Sequence, residues 1–134
     1  MLLPEIISLG KLQRRGLLAA ILLLIGGLAL SMSWAPATEP MAVPALSAHV
    51  TDLAGALSKD ESAQLETELT EFERRKGSQL ALLIVNSTTP ETIEQFSLRV
   101  VEAWKLGRRG TGDGVLVTIA KNDRTQRIEV GNGL

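Results

Sequence analysis

Gln79 to Val85 reads QLALLIV and Val115 to Ala120 reads VLVTIA, and between them Ile93, Phe96, Val100, Val101 and Trp104 recur at helical spacing. The first run is short, nearly continuous in apolar residues and rich in branched side chains. That is the pattern of a strand covered on both faces. The spaced residues predict a helix with one buried side, Trp104 forming part of the core. Pro90 is expected at the first helical position, where its missing N–H has no partner to lose. Gly107 is expected to end the helix. Strand, helix and strand in this order form a crossover unit whose two strands run parallel. After Ala120, Lys121-Asn122-Asp123-Arg124 reads as a polar hairpin turn, and Gln126 to Val130 returns antiparallel. The sheet is therefore mixed, with helices packed against it.

Upstream, Ser58 and Glu61 have the spacing of a capping box, and Leu65, Leu69 and Phe72 form one apolar stripe. Arg74, Arg75 and Lys76 fall in the last turn, where cations suit the helix dipole, and Gly77 suits the left-handed position that closes a helix. This predicts a solvated helix with one buried face. Val50 to Gly55 ahead of it reads as a short, turn-prone segment. The expected sheet is incomplete, because the chain reaches Gly131-Asn132-Gly133-Leu134 where a further covering helix is expected.

Leu17 to Ala35 (LLAAILLLIGGLALSMSWA) carries no charge, follows Lys11, Arg14 and Arg15, and precedes any further basic residue until Lys59. The positive-inside rule keeps the N-terminus in the cytoplasm and exports the chain beyond Ala35. As a helix, nineteen residues would span about 28 Å, close to the hydrocarbon thickness of a bilayer, with Trp34 at the outer interface. As a signal peptide, the same segment ends in Ala35-Pro36-Ala37, a small-x-small cleavage site. Residues 1–37 are thus a signal peptide or a signal anchor, cleavage being the preferred reading. Residues 38–49 form a proline-rich linker; the stretch 36–46, with three prolines and no periodicity, reads as a spacer. Residues 50–134 are the α/β domain.

The totals exclude several chemistries. The 134 residues carry a net charge of −1 with no basic excess, so nucleic acid is not an expected partner. Cysteine is absent, which excludes disulfides, cysteine-ligated zinc, a thiol nucleophile and a lipoprotein anchor. The single histidine, His49, lies at the end of the linker and is expected to be solvated; with no Gly-x-Ser-x-Gly motif, a nucleophilic triad lacks its parts.

Gly107-Arg108-Arg109-Gly110-Thr111-Gly112-Asp113-Gly114 is the most conspicuous loop. A phosphate cradle needs such a loop after a strand and before a helix, whereas here it runs from helix to strand. A mobile loop feeding the sheet is the plainer reading. The remaining one makes Asp113, with little steric shielding and carbonyls nearby, a hard-oxygen ligand for Ca²⁺ or Mg²⁺. Asp52 and Asp123 both stand in turns, where aspartate is common for conformational reasons alone.

The order of Val50–Ser58 (VTDLAGALS), Trp104–Gly107 (WKLG), Asp113–Leu116 (DGVL) and Arg127–Leu134 (RIEVGNGL) closely resembles the TPM domain family, named for thylakoid acid phosphatase and a levamisole-receptor modulator. The resemblance covers about residues 44 to 134. It implies a three-layer α/β/α sandwich and a divalent cation, Ca²⁺ or Mg²⁺, near acidic loops at one sheet end. Asp52 and Asp113 fall on the family's motif positions and are the implied metal ligands. Members combine an export signal with this domain, often followed by a transmembrane helix and a Gly-rich tail. The implied role is a noncatalytic domain in the periplasm or on the extracytoplasmic membrane face, tied to the membrane by its N-terminal segment. There it helps an envelope protein partner assemble or maintain a membrane complex. The alternative is a metal-dependent acid phosphatase, with Arg108 and Arg109 attracting phosphate. The family pattern continues past Gly-x-Gly-Leu with acidic residues and helices, so a site that depends on them is incomplete in this chain.

Overall fold

The computed structural model describes residues 35–134. The signal peptide or anchor expected at 1–37 therefore lies almost wholly outside the described residues. Within them, no helix is long and apolar enough to cross a membrane.

The elements run β1 (Val50–Asp52), α1 (Lys59–Lys76), β2 (Gln79–Val85), α2 (Ile93–Trp104), β3 (Gly114–Ala120) and β4 (Thr125–Val130). The strands form one mixed sheet in the order β1-β2-β3-β4. β1 and β3 run parallel to β2, and β4 runs antiparallel to β3 with Val115 opposite Val130 and Ala120 opposite Thr125. The crossover and hairpin expected from the sequence are both present. β1 is a correction, since its residues were expected in a turn. Three residues are too few to show a period, and what makes them a strand is pairing with β2: Leu82 N–H donates to His49 O at 2.7 Å, and Leu53 N–H to Ile84 O at 2.8 Å.

Local signals set the ends of α1 as expected. Ser58 Oγ accepts from Glu61 N–H, and the Glu61 carboxylate accepts from Ser58 N–H. Gly77 closes the helix at φ 80° and donates its N–H to Glu73 O. The ends of α2 differ from expectation. Pro90 stands outside the helix, whose cap is Thr92, again with a reciprocal partner, Gln95. The Thr-x-x-Gln spacing outweighs the proline signal because it satisfies two otherwise unpaired N–H groups, whereas Pro90 would satisfy none. Lys105, at φ 49°, ends the helix in place of Gly107, its N–H donating to Val101 O.

Strand alternation divides the sheet into two faces. Ala81, Leu83, Val85, Leu116 and Ala120 meet Ile93, Phe96, Val100 and Trp104 of α2 in a dry core. Leu80 on the opposite face lies beside Leu69 and Phe72 of α1. The sheet is thus the middle of three layers. α1 reaches only β1 and β2, so Val115, Val117 and Ile119 are half-buried, and Ile128 and Val130 are exposed.

The proline-rich stretch was expected to be a spacer, but from Met41 onward it is a docked strap. Met41 and Val43 pack on the core, Arg99 donates to Met41 O at 2.7 Å, and Trp104 Nε1–H donates to Pro44 O at 2.7 Å. Proline removes a donor but leaves its carbonyl, and donors from α2 find the carbonyls of the strap.

Candidate functional site

Asp52 ends β1 at the carboxyl end of the parallel strands. Its two carboxylate oxygens accept Ala54 N–H at 3.0 Å and Leu57 N–H at 2.8 Å, which folds the loop to α1 around the side chain. Partial burial opposes ionisation, but the loop's backbone donors, Leu57 foremost, outweigh it and hold the carboxyl below its ordinary value. The residue is half-buried and lines an open groove of about 440 Å³ with Ser58, Lys59, Ser62 and Glu66 among its walls.

Two strands away at the same end, Asp123 at the β3–β4 turn accepts Ser87 Oγ–H at 2.7 Å and Thr88 N–H at 2.8 Å. These donors hold it ionised as well, that from Thr88 foremost. Asp123 therefore ties the hairpin to the loop after β2 and does more than shape its own turn.

Asp113 stands at the opposite end of the sheet. It is 1% exposed, and both its oxygens face Arg108: Oδ1 accepts the Arg108 backbone N–H at 2.8 Å, and Oδ2 pairs with the guanidinium Nε at 2.8 Å and Nη2 at 2.7 Å. The guanidinium beside it keeps the carboxyl below its ordinary range. Around this pair the glycine loop is woven into the chain's last residues. Gly131 N–H donates to Gly114 O, Gly133 N–H to Gly112 O, and Gly107 N–H to the Gln79 side chain. A Cβ at Gly131 or Gly133 would overlap the carbonyls of Gly112 or Thr111. These glycines serve close backbone approach, and the loop is braced where a mobile loop was expected.

The structure does not bring Asp52 and Asp113 together. Asp52 pairs in register with Ile84, whereas Asp113 precedes Gly114, which pairs with Gln79; the separation along β2 is about 20 Å at strand rise. A single ion cannot touch both. Among the described residues, no group of three or more carboxylate or imidazole side chains is placed to share an ion. Asp113 fits a cation poorly, since it is buried, with the Arg108 guanidinium on Oδ2 and the Arg108 backbone N–H on Oδ1. Asp52 fits better: its partly exposed carboxylate opens on the groove, and its donors are the uncharged backbone N–H groups of the loop from Ala54 to Leu57.

Motifs far apart in sequence thus meet in two places, Asp52 with its loop at one sheet end and Gly107, Asp113-Gly114 and Gly131-Asn132-Gly133 in one knot at the other. The sequence model of the TPM domain matches residues 50–134 and takes in both. The chain belongs to the TPM domain family. No curated protein matches it. Among solved structures, the TPM domain here is similar to the N-terminal domain of a P. gingivalis protein, at 27% identity and a TM-score of 0.58 over 63% of this chain and 54% of that one. It is also similar to the N-terminal domain of a Corynebacterium glutamicum protein, at 16% identity and a TM-score of 0.56 over 72% of this chain and 64% of that one. The second likeness shows the fold alone. The chain spans less than two thirds of the length of either.

One polar cluster escaped the sequence reading. His49, expected to be solvated, is 16% exposed in its side chain and sits between Glu66 and Glu73 of α1, with Nδ1–Glu66 at 2.7 Å and Nε2–Glu73 at 2.6 Å. The signal was present: Glu66, Thr70 and Glu73 are spaced i, i+4, i+7 and form a polar stripe beside the apolar one. Nothing in the sequence says that the stripe meets a histidine.

Proposed function

We propose that this TPM domain is a noncatalytic, exported module that binds a divalent cation, Ca²⁺ or Mg²⁺, and supports the assembly or upkeep of a membrane complex. The observation that carries the cation reading is the pair of preorganised, ionised carboxylates, Asp52 and Asp123, at the carboxyl ends of the parallel strands. Open α/β sheets bind ligands at that end, and hard cations take carboxylate and carbonyl oxygens. Asp52 is the proposed ligand, with the carbonyls of its loop completing the shell. Asp113 is reassigned from ligand to brace.

The same geometry disfavours the phosphatase reading. Of its two phosphate-attracting cations, Arg108 is committed to Asp113, and Arg109 beside it stands with it at the other end of the sheet from Asp52. Membrane association and an envelope protein partner rest on the apolar segment at 17–35 and on the family.

Calorimetric titration of the full chain with Ca²⁺ and then Mg²⁺ tests the site. Asp52→Asn is expected to weaken binding at least ten-fold, or about 1.4 kcal/mol, while a folded Asp113→Asn keeps wild-type affinity. Equal binding by wild type and Asp52→Asn would remove the cation from this loop. Weakening confined to Asp113→Asn would return the site to the glycine loop.

A further inference from the structure

His49 is the last residue before β1, and its contacts are unusual in their balance. Both ring nitrogens lie at short range from carboxylate oxygens, 2.7 Å to Glu66 and 2.6 Å to Glu73. An ionised carboxylate only accepts, and a neutral imidazole donates from one nitrogen, so satisfying both contacts requires the doubly protonated ring. The distances are those of charge-assisted bonds. Glu66 also accepts the backbone N–H of His49 at 3.0 Å and of Val50 at 2.8 Å, which occupies donors along the outer edge of β1. Thr70 Oγ lies 3.4 Å from Nδ1 while donating to Glu66 O. On the sheet side the groove beside His49 is lined by Gln79, whose side chain is uncharged. The charged groups that face the ring are thus Glu66 and Glu73, both acidic and both from α1.

We propose that His49 is a protonation-dependent clasp, which as an imidazolium fastens the strap entering β1 to α1 and as a neutral ring releases Glu73. Glu73 is the arm that opens, because Glu66 keeps two backbone donors whatever the ring does, whereas among the described residues the Glu73 carboxylate has His49 alone. Release matters more for α1 than it would for α2, since no residue of α1 is fully buried and polar ties supply more of its attachment. The charges set the sign. Burial by itself pulls the imidazole down, but the hydrogen bonds and charges of Glu73 and Glu66 outweigh it and raise its pKa above the ordinary 6.5. The clasp is therefore fully closed below 6.5 and opens as the pH rises through the higher folded value.

Because His49 is the only histidine, its imidazole signals in the full, histidine-labelled chain need no assignment. The ring nitrogen shifts should show both nitrogens protonated below the titration midpoint, and that midpoint should lie above 6.5. Amide hydrogen exchange corrected for its intrinsic pH dependence gives the second readout. Protection in the last turns of α1 should fall by on the order of ten-fold as the pH passes that midpoint. Glu73→Gln should lower the midpoint and abolish the fall, and His49→Gln should give pH-independent protection there. A midpoint at or below 6.5 overturns the clasp. So does unchanged protection through the midpoint, or a midpoint indifferent to Glu73→Gln. If His49→Gln does not fold, Glu73→Gln still decides, because it leaves the Glu66 contacts in place.

Discussion

The two helices lie on opposite faces of one sheet and are held in different ways. α2, with twelve residues, buries Ile93, Phe96, Ser97, Val100 and Trp104, whereas α1, with eighteen, buries none. The shorter helix is fixed by packing against the sheet's dry face. The longer one keeps Leu65, Leu69 and Phe72 half-buried and relies on a capping box, a left-handed glycine and ties to His49 and Val50. Helix length is therefore a poor guide to attachment. A solvated helix can be well specified locally and still be held loosely by the rest of the fold.

The largest test of this contrast is a pair of truncations. Phe96→Ala, at a site with no exposure, should cost about 3–5 kcal/mol in urea unfolding. Phe72→Ala, at a half-buried site on α1, should cost on the order of 1–2 kcal/mol. Equal losses would mean that α1 is packed as firmly as α2 and would break the comparison.

Asp113→Asn should come next, as a clear fall in melting temperature, because it leaves Arg108 facing a neutral amide. Its pH dependence identifies the cause. A carboxyl held low in the folded state contributes stability above its ordinary value of 3.8, and that contribution is lost as the pH falls through the lower folded value. The melting temperatures of wild type and variant should therefore differ at neutral pH and converge in strong acid. A constant gap would assign the effect to shape.

Trp104→Phe keeps an aromatic ring in the core but removes the donor to Pro44 O, and should cost about 1 kcal/mol. Faster exchange confined to the strap at 41–46 would show that the strap is held from the α2 side. The smallest effect is expected at the start of α1. Ser58→Ala removes the cap and should cost about 1 kcal/mol or less, with fraying limited to the first turn in circular dichroism and amide exchange. Global loss of α1 would show that the cap nucleates the helix.

Much of the fold is legible in the chain because it is written in local chemistry. The apolar runs at 79–85 and 115–120, the spacing from Ile93 to Trp104 and the Ser58–Glu61 pair each specify an element without reference to the rest. Asp52 and Asp113 could be singled out by their surroundings in sequence, but not paired or separated, because their separation is set by strand register. His49 shows the same limit from the other side. It reads as a linker residue until a helix beginning ten positions later places two carboxylates around it.

The sequence by itself thus determined the strands from β2 to β4, both helices, the caps of α1 and the family. Only the tertiary structure decided that Val50–Asp52 is a strand, that the proline stretch is a strap, that Asp113 braces a loop and that His49 bridges two glutamates. The physical reason is the same in each case: a backbone period or a cap is satisfied within a few residues, whereas these four features depend on partners 5 to 60 positions away.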